Sequence, residues 1–134
     1  MRDSSKKTKN YKKHQLTFLM AYSGIDEMEE AIRKIVISIL RTSDVHNIRT
    51  SDVQKLINKE SIKANLWTKD LPAVDLVIRT GSASEPHLSS GMMMWDIADS
   101  QLYFTDTLLP DFSPEEFKKA VEHYSEKQRR SGNI

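Results

Sequence analysis

Residues 75–112, DLVIRTGSASEPHLSSGMMMWDIADSQLYFTDTLLPDF, constrain the fold more than any other stretch of this chain. Asp75-Leu-Val-Ile78 is a short apolar, partly β-branched run that stops at Arg79-Thr-Gly81, so it reads as a buried strand delivering an arginine to its C-terminal end. In an open α/β sheet, ligands bind at that end. A loop rich in Ser and Gly follows, then the bulky segment Met92-Met-Met-Trp95, then Leu102-Tyr-Phe-Thr105 as a second β-prone run closed by Pro110. Strand, polar loop, apolar segment and strand make the skeleton of a site.

The flanking sequence supplies further elements. Leu16-Thr-Phe-Leu-Met20 is a continuous apolar run ending in Ala21-Tyr-Ser-Gly24, and it predicts a strand that turns into a helix. From Asp26 to about Arg41, Met28, Ile32, Ile35, Val36, Ile39 and Leu40 recur at helical spacing, with Asp26, Glu27, Glu29 and Glu30 at the start, where the helix dipole favours acids. The cluster IVISI also suits a strand, but the acidic start and the length of the pattern favour a helix. After a polar connection over Ser43–Arg49, Ser51 with Gln54 forms a capping box for a short helix carrying Val53, Leu56 and Ile57. Residues 61–74 read as irregular, anchored by Leu66, Trp67 and Leu71. A last helix is capped by Ser113, with Pro114 at its first position and Glu116 completing the box; Phe117, Ala120, Val121 and Tyr124 form its apolar face, and Gly132 is its stop. The order is strand, helix, small helix, strand, helix, strand, helix.

At 134 residues the chain holds one domain at most. Its charge is nearly balanced, 20 Lys and Arg against 19 Asp and Glu, yet residues 1–15 concentrate Arg2, Lys6, Lys7, Lys9, Lys12 and Lys13 against the single acid Asp3. We therefore divide the chain into a basic arm, 1–15, without apolar periodicity, and a folded domain, 16–134. The lack of cysteine excludes disulfides and thiolate metal sites and fits a reducing, cytoplasmic location. No apolar run approaches the ~20 residues a membrane-crossing helix needs. A peripheral membrane contact through the basic arm is the minority alternative to a solvated tail.

The 75–112 stretch resembles the C-terminal signature of the cis-prenyltransferases, the undecaprenyl and dehydrodolichyl diphosphate synthases. The resemblance is carried by Asp75 to Gly81, Glu85, Ser89, Trp95, Leu102 to Asp106 and Pro110 to Phe112. It implies an α/β fold, the C-terminal half of a cis-prenyltransferase-like parallel sheet flanked by helices. It also implies the joining of isopentenyl diphosphate to an allylic diphosphate with Mg²⁺. Arg79 and Ser89 match the arginine and serine that grip isopentenyl diphosphate, while His87 stands where the second arginine would be and Gln101 where a metal-contacting glutamate would be. In Ala21-Tyr-Ser-Gly-Ile25, Ala21 replaces the Asn, Ser23 the first Gly and Ile25 the Arg of the family's N-Y-G-G-R turn. No Asp-Gly-Asn phosphate loop occurs. Arg130-Ser-Gly132 resembles the R-x-G tail with which one subunit completes its partner's active site.

These departures point to an accessory subunit, inactive or weakly active alone, of a heteromeric polyprenyl diphosphate synthase. Its implied partners are a catalytic cis-prenyltransferase subunit, in a heterodimer or homodimer, and isoprenoid diphosphates, with Mg²⁺ on the partner; no nucleic acid is implied. The alternatives are a C-terminal fragment of an active synthase and a module binding anionic lipid or phosphate. Read without the resemblance, Arg79 simply pairs with Glu85 or caps a helix. Met92–Trp95 is packing, His14, His46 and His123 are surface residues, and the pairs Asp26-Glu27 and Glu115-Glu116 serve helix ends.

Overall fold

The computed structural model describes residues 2–42 and 49–131. Among the described residues five α-helices, α1 (Arg2–Thr8), α2 (Gly24–Thr42), α3 (Thr50–Leu56), α4 (Lys59–Asn65) and α5 (Pro114–Ser131), accompany two strands, β1 (Leu76–Thr80) and β2 (Gln101–Thr105). The strands pair in parallel with Leu76 opposite Gln101 and Thr80 opposite Thr105. Parallel neighbours need a crossover, and residues 81–100 provide it. The α/β class with a parallel sheet flanked by helices is as the sequence predicts.

The crossover is built of turns rather than the expected helix: over 91–99 the chain makes isolated helical bonds such as Ile97 N–H to Met93 O at 3.1 Å. Residues 16–20 form no strand either. They run extended, with Leu16 79%, Phe18 64% and Met20 72% exposed, and among the described residues no strand pairs with them. A β-prone run becomes a strand only when a neighbour supplies its hydrogen bonds.

The long helix forms where predicted, with a different division of its apolar surface. Ala31, Ile35 and Ile39, spaced by four, are its buried stripe, whereas Ile32, Val36 and Leu40 form a second stripe left in solvent. The rest of the core is Leu66, Ile97 and Ala120. The short helix α3 starts one residue before Ser51, and it is Asp52, not the Ser51–Gln54 pair, whose carboxylate accepts from the Arg49 N–H at 3.3 Å. Residues 59–65, partly read as irregular, form α4 because Asn58 and Ser61 cap it reciprocally: Ser61 N–H donates to Asn58 Oδ1 at 2.8 Å and Asn58 N–H to Ser61 Oγ at 3.0 Å.

Ser113 caps α5 as expected, accepting from the Glu116 N–H at 3.3 Å. Ala120 is fully buried, and His123 stacks edge-on to Tyr103 of β2 with ring centroids 5.4 Å apart. His123 is thus a packing residue rather than a surface one. The basic arm carries α1, exposed along residues 3–8. His46 and Gly132 lie outside the described residues, as does most of the polar connection after α2. Among the described residues no helix is long and apolar enough to cross a membrane.

Candidate functional site

Arg79 is the penultimate residue of β1, and the backbone beyond it is pinned to the same end of β2. Gly81 N–H donates to Thr107 O at 3.0 Å, Ser82 N–H to Thr105 O at 3.0 Å and Ser84 N–H to the Asp106 carboxylate at 2.9 Å. Gly81 makes the turn with φ +70°, in the left-handed region that only glycine enters freely. The loop then returns across the strand ends and brings three side chains to the guanidinium.

Each Arg79 nitrogen has its own acceptor. Nε donates to Ser82 Oγ at 3.1 Å, Nη1 to Ser89 Oγ at 3.2 Å and Nη2 to His87 Nε2 at 2.9 Å. His87 Nδ1 lies 2.7 Å from the Glu85 carbonyl, so the ring carries its proton on Nδ1 and accepts at Nε2. The sequence-predicted trio Arg79, His87 and Ser89 is therefore one cluster. Glu85 touches it through its backbone alone, and among the described residues no carboxylate forms an ion pair with Arg79. A guanidinium held flat by neutral groups at the C-terminal end of a parallel strand is a preformed seat for an anion such as a phosphate. Ser82, nearly buried, was missed by sequence reasoning, and its only signal was the small residue after the Arg-Thr-Gly turn.

Gln101 is not in this cluster. The strand register places it opposite Leu76, three positions from the Phe104 that faces Arg79, a separation of roughly 10 Å along the strand. Its Oε1 is buried without a hydrogen-bond partner. Mg²⁺ needs a set of hard oxygen ligands, usually with carboxylates among them. Among the described residues no group of three or more His, Asp or Glu side chains could hold a metal ion, so these residues do not fit one. Arg130 lies in α5, and Gly132 falls outside the described residues.

The turn before α2 leans on the far side of the loop. Gly24 N–H donates to Ser90 O at 2.6 Å, and a Cβ at Gly24 would sit 2.1 Å from Met92 O, so only glycine allows this approach. Ala21 adopts φ 50°, a left-handed conformation that costs alanine about 1 kcal/mol and that asparagine, its counterpart in the resembling motif, enters more readily.

Below the loop lies a polar network that sequence reasoning misassigned. Glu27, read as serving a helix end, is 1% exposed. Its Oε1 accepts from Thr68 N–H at 2.7 Å and lies 2.9 Å from Thr68 Oγ1, while its Oε2 accepts from the Tyr22 hydroxyl. Thr68 Oγ1 also reaches Asp96 Oδ2 at 2.9 Å, and Asp96 Oδ1 pairs with Lys63 at 2.6 Å. Burial, then the hydrogen bond to Glu27 and the charges of Glu27 and Asp96, push the Tyr22 phenol well above its ordinary range. The one signal in the sequence was an acid four residues before the buried Ala31 and eight before Ile35, on the apolar stripe itself.

The chain is similar along most of its length to known proteins. A family described as putative undecaprenyl diphosphate synthase matches residues 1–132. A ditrans,polycis-undecaprenyl-diphosphate synthase of Buchnera aphidicola is 42% identical over 114 residues, covering 84% of this chain and 41% of its own length. An isoprenyl transferase of Aquifex aeolicus is 33% identical over 135 residues, covering 100% of this chain and 51% of its own. Lavandulyl diphosphate synthase from Lavandula x intermedia, solved with dimethylallyl diphosphate, superposes with a TM-score of 0.61 at 26% identity, over 78% of this chain and 41% of that one. The chain spans about half the length of the curated relatives it matches. With nearly its whole length matched and the Arg79 loop assembled at the strand ends, the chain belongs to the cis-prenyltransferase, or undecaprenyl diphosphate synthase, family.

Proposed function

We propose that this chain binds the diphosphate of isopentenyl diphosphate at the Arg79 cluster, as the accessory subunit of a heteromeric cis-prenyltransferase. The observation that carries the reading is the guanidinium of Arg79, held by Ser82, Ser89 and His87 and unpaired with any carboxylate among the described residues. When a diphosphate arrives, the Arg79 donors turn from neutral oxygens and a ring nitrogen to phosphate oxygens, and Ser89 adds a hydroxyl. His87 in place of a second arginine and Gln101 in place of a glutamate leave charge neutralisation and Mg²⁺ to a catalytic partner. In this reading Arg130 and Gly132 help to complete that partner's site.

The test is reconstitution with a catalytic homologue from the same genome. The chain alone is expected to show no appreciable turnover, and the pair to show it. Arg130→Ala then lowers turnover by about 10²–10³ with assembly intact, the usual effect of removing a donor aimed at developing charge, and Gly132→Ala also lowers it by placing a side chain where close backbone approach is needed. Appreciable turnover by the isolated chain contradicts the accessory role.

A second reading, the C-terminal part of an active synthase, is favoured by a different observation. Residues 16–20 and the stripe Ile32, Val36, Leu40 are apolar yet uncovered, as expected of surfaces that meet the remainder of a sheet. An in-frame upstream strand followed by Asp-Gly-Asn would decide for it.

A further inference from the structure

The Arg79 cluster depends on a loop that has no regular structure of its own, so something outside the loop must fix where Ser89 and His87 stand. Two anchors do this, both from the first turn of α2. At the near end Gly24 N–H bonds Ser90 O, the residue after Ser89. At the far end Glu27 takes Thr68 by its backbone N–H and hydroxyl, and the same hydroxyl reaches Asp96, the residue after Trp95 where the loop rejoins the core. The Asp96 backbone in turn accepts from Val74 N–H at 2.9 Å, two residues ahead of β1. Glu27 thus joins the helix that touches the loop, the turn after α4, and the segment leading into the Arg79 strand.

The Thr68 hydroxyl has one proton and serves one carboxylate at a time, so from Thr68 it is the backbone N–H that holds Glu27 continuously, with the Tyr22 hydroxyl on the other oxygen. Glu27, Thr68 and Asp96 are all buried, and a buried network joined at this many points has few alternative arrangements. We propose that Glu27 is a positioning residue for anion binding at Arg79, acting through Thr68 and Asp96 on the loop that carries His87 and Ser89. This rests on the reading of the Arg79 cluster as a diphosphate seat.

The test uses the full chain with two readouts. The first is the Arg79 Nε–H resonance, slow to exchange because Ser82 Oγ accepts it, which reports the cluster with no ligand present. The second is the affinity for inorganic pyrophosphate. Glu27→Gln keeps an acceptor for Thr68 N–H and a donor for the Tyr22 oxygen, and it should leave the resonance in place and the affinity within about threefold. Glu27→Ala should abolish the protected resonance and weaken pyrophosphate about tenfold, in the range by which supporting contacts tune a bound ligand. Ala120→Gly, a core change in α5 away from the loop, should lower the melting temperature without either effect, which separates positioning from stability.

If Glu27→Ala does not fold, Thr68→Val decides: it removes the hydroxyl bridge, keeps the backbone donor, and should weaken pyrophosphate about threefold while loosening the same resonance. An unchanged Arg79 resonance in the folded variant overturns the positioning role. A wild-type chain with a protected resonance and no pyrophosphate affinity overturns the diphosphate reading instead and leaves the resonance to judge Glu27.

Discussion

The two sides of α2 differ in kind. Toward α4 and the turn after it, Glu27, Ala31, Ile35 and Ile39 are buried and Glu27 is paired, while at the start of the helix glycine is required for contact with the Arg79 loop. On the other side Ile32, Val36 and Leu40 face solvent, and the apolar run at residues 16–20 is likewise exposed and pairs with no strand among the described residues. The same helix is a finished wall on one side and a bare one on the other. A helix apolar on two faces suits the middle of a layered fold; here one face is packed and the other is left uncovered by the described residues.

The largest expected effect lies on the finished side. Asp96→Ala removes the partner of Lys63 and of the Thr68 hydroxyl, and breaking such a buried pair costs about 3 kcal/mol, at the low end of the usual range because Lys63 still reaches water. Urea unfolding measures it; a loss below about 1 kcal/mol would mean the network is not a structural tie.

Next comes Tyr22. Its phenol is raised by burial first and by Glu27 second, so the folded state favours the neutral form. That contribution is fully present below the ordinary tyrosine range and is lost as pH rises past about 10. Tyr22→Phe should cost about 1 kcal/mol at neutral pH and should flatten the alkaline fall in stability. Parallel curves for both proteins above pH 10 would contradict the Tyr22–Glu27 contact.

Smaller, and opposite in sign, is the turn that leads into α2. Ala21→Gly relieves a left-handed alanine and should raise stability by about 0.5–1 kcal/mol. A decrease would show that the turn does not hold φ 50° in solution. On the bare side, Ile32→Ser with Val36→Ser should change the stability of the isolated chain by no more than about 0.5 kcal/mol while reducing its self-association in light scattering. A large loss would mean this face is already covered.

How much of this was legible follows from what each feature depends on. The Arg79 strand, the second strand, α2 and the capped α5 were readable because their signals are local: β-branched runs, helical spacing, Ser113-Pro114. The trio Arg79, His87 and Ser89 was readable from the resemblance alone. Residues 16–20 misled because strand formation needs a neighbour that composition cannot supply. Glu27 misled because an acid in a first turn looks the same whether it faces water or Thr68, and only the buried i+4 and i+8 positions tell them apart. Gln101 was read only as standing where a metal-contacting glutamate would be, and its distance along the strand from Arg79 was not legible, since register is a tertiary property.

The central claim is that Arg79 holds a diphosphate, and the direct measurement is calorimetric titration of isopentenyl diphosphate into the wild-type chain and into Arg79→Ala at matched ionic strength. The account predicts saturable binding to the wild type, weakened roughly 10- to 100-fold in the variant, as expected for losing charge-assisted hydrogen bonds. Equal affinity in the two proteins, or no binding to a folded wild type, would contradict it.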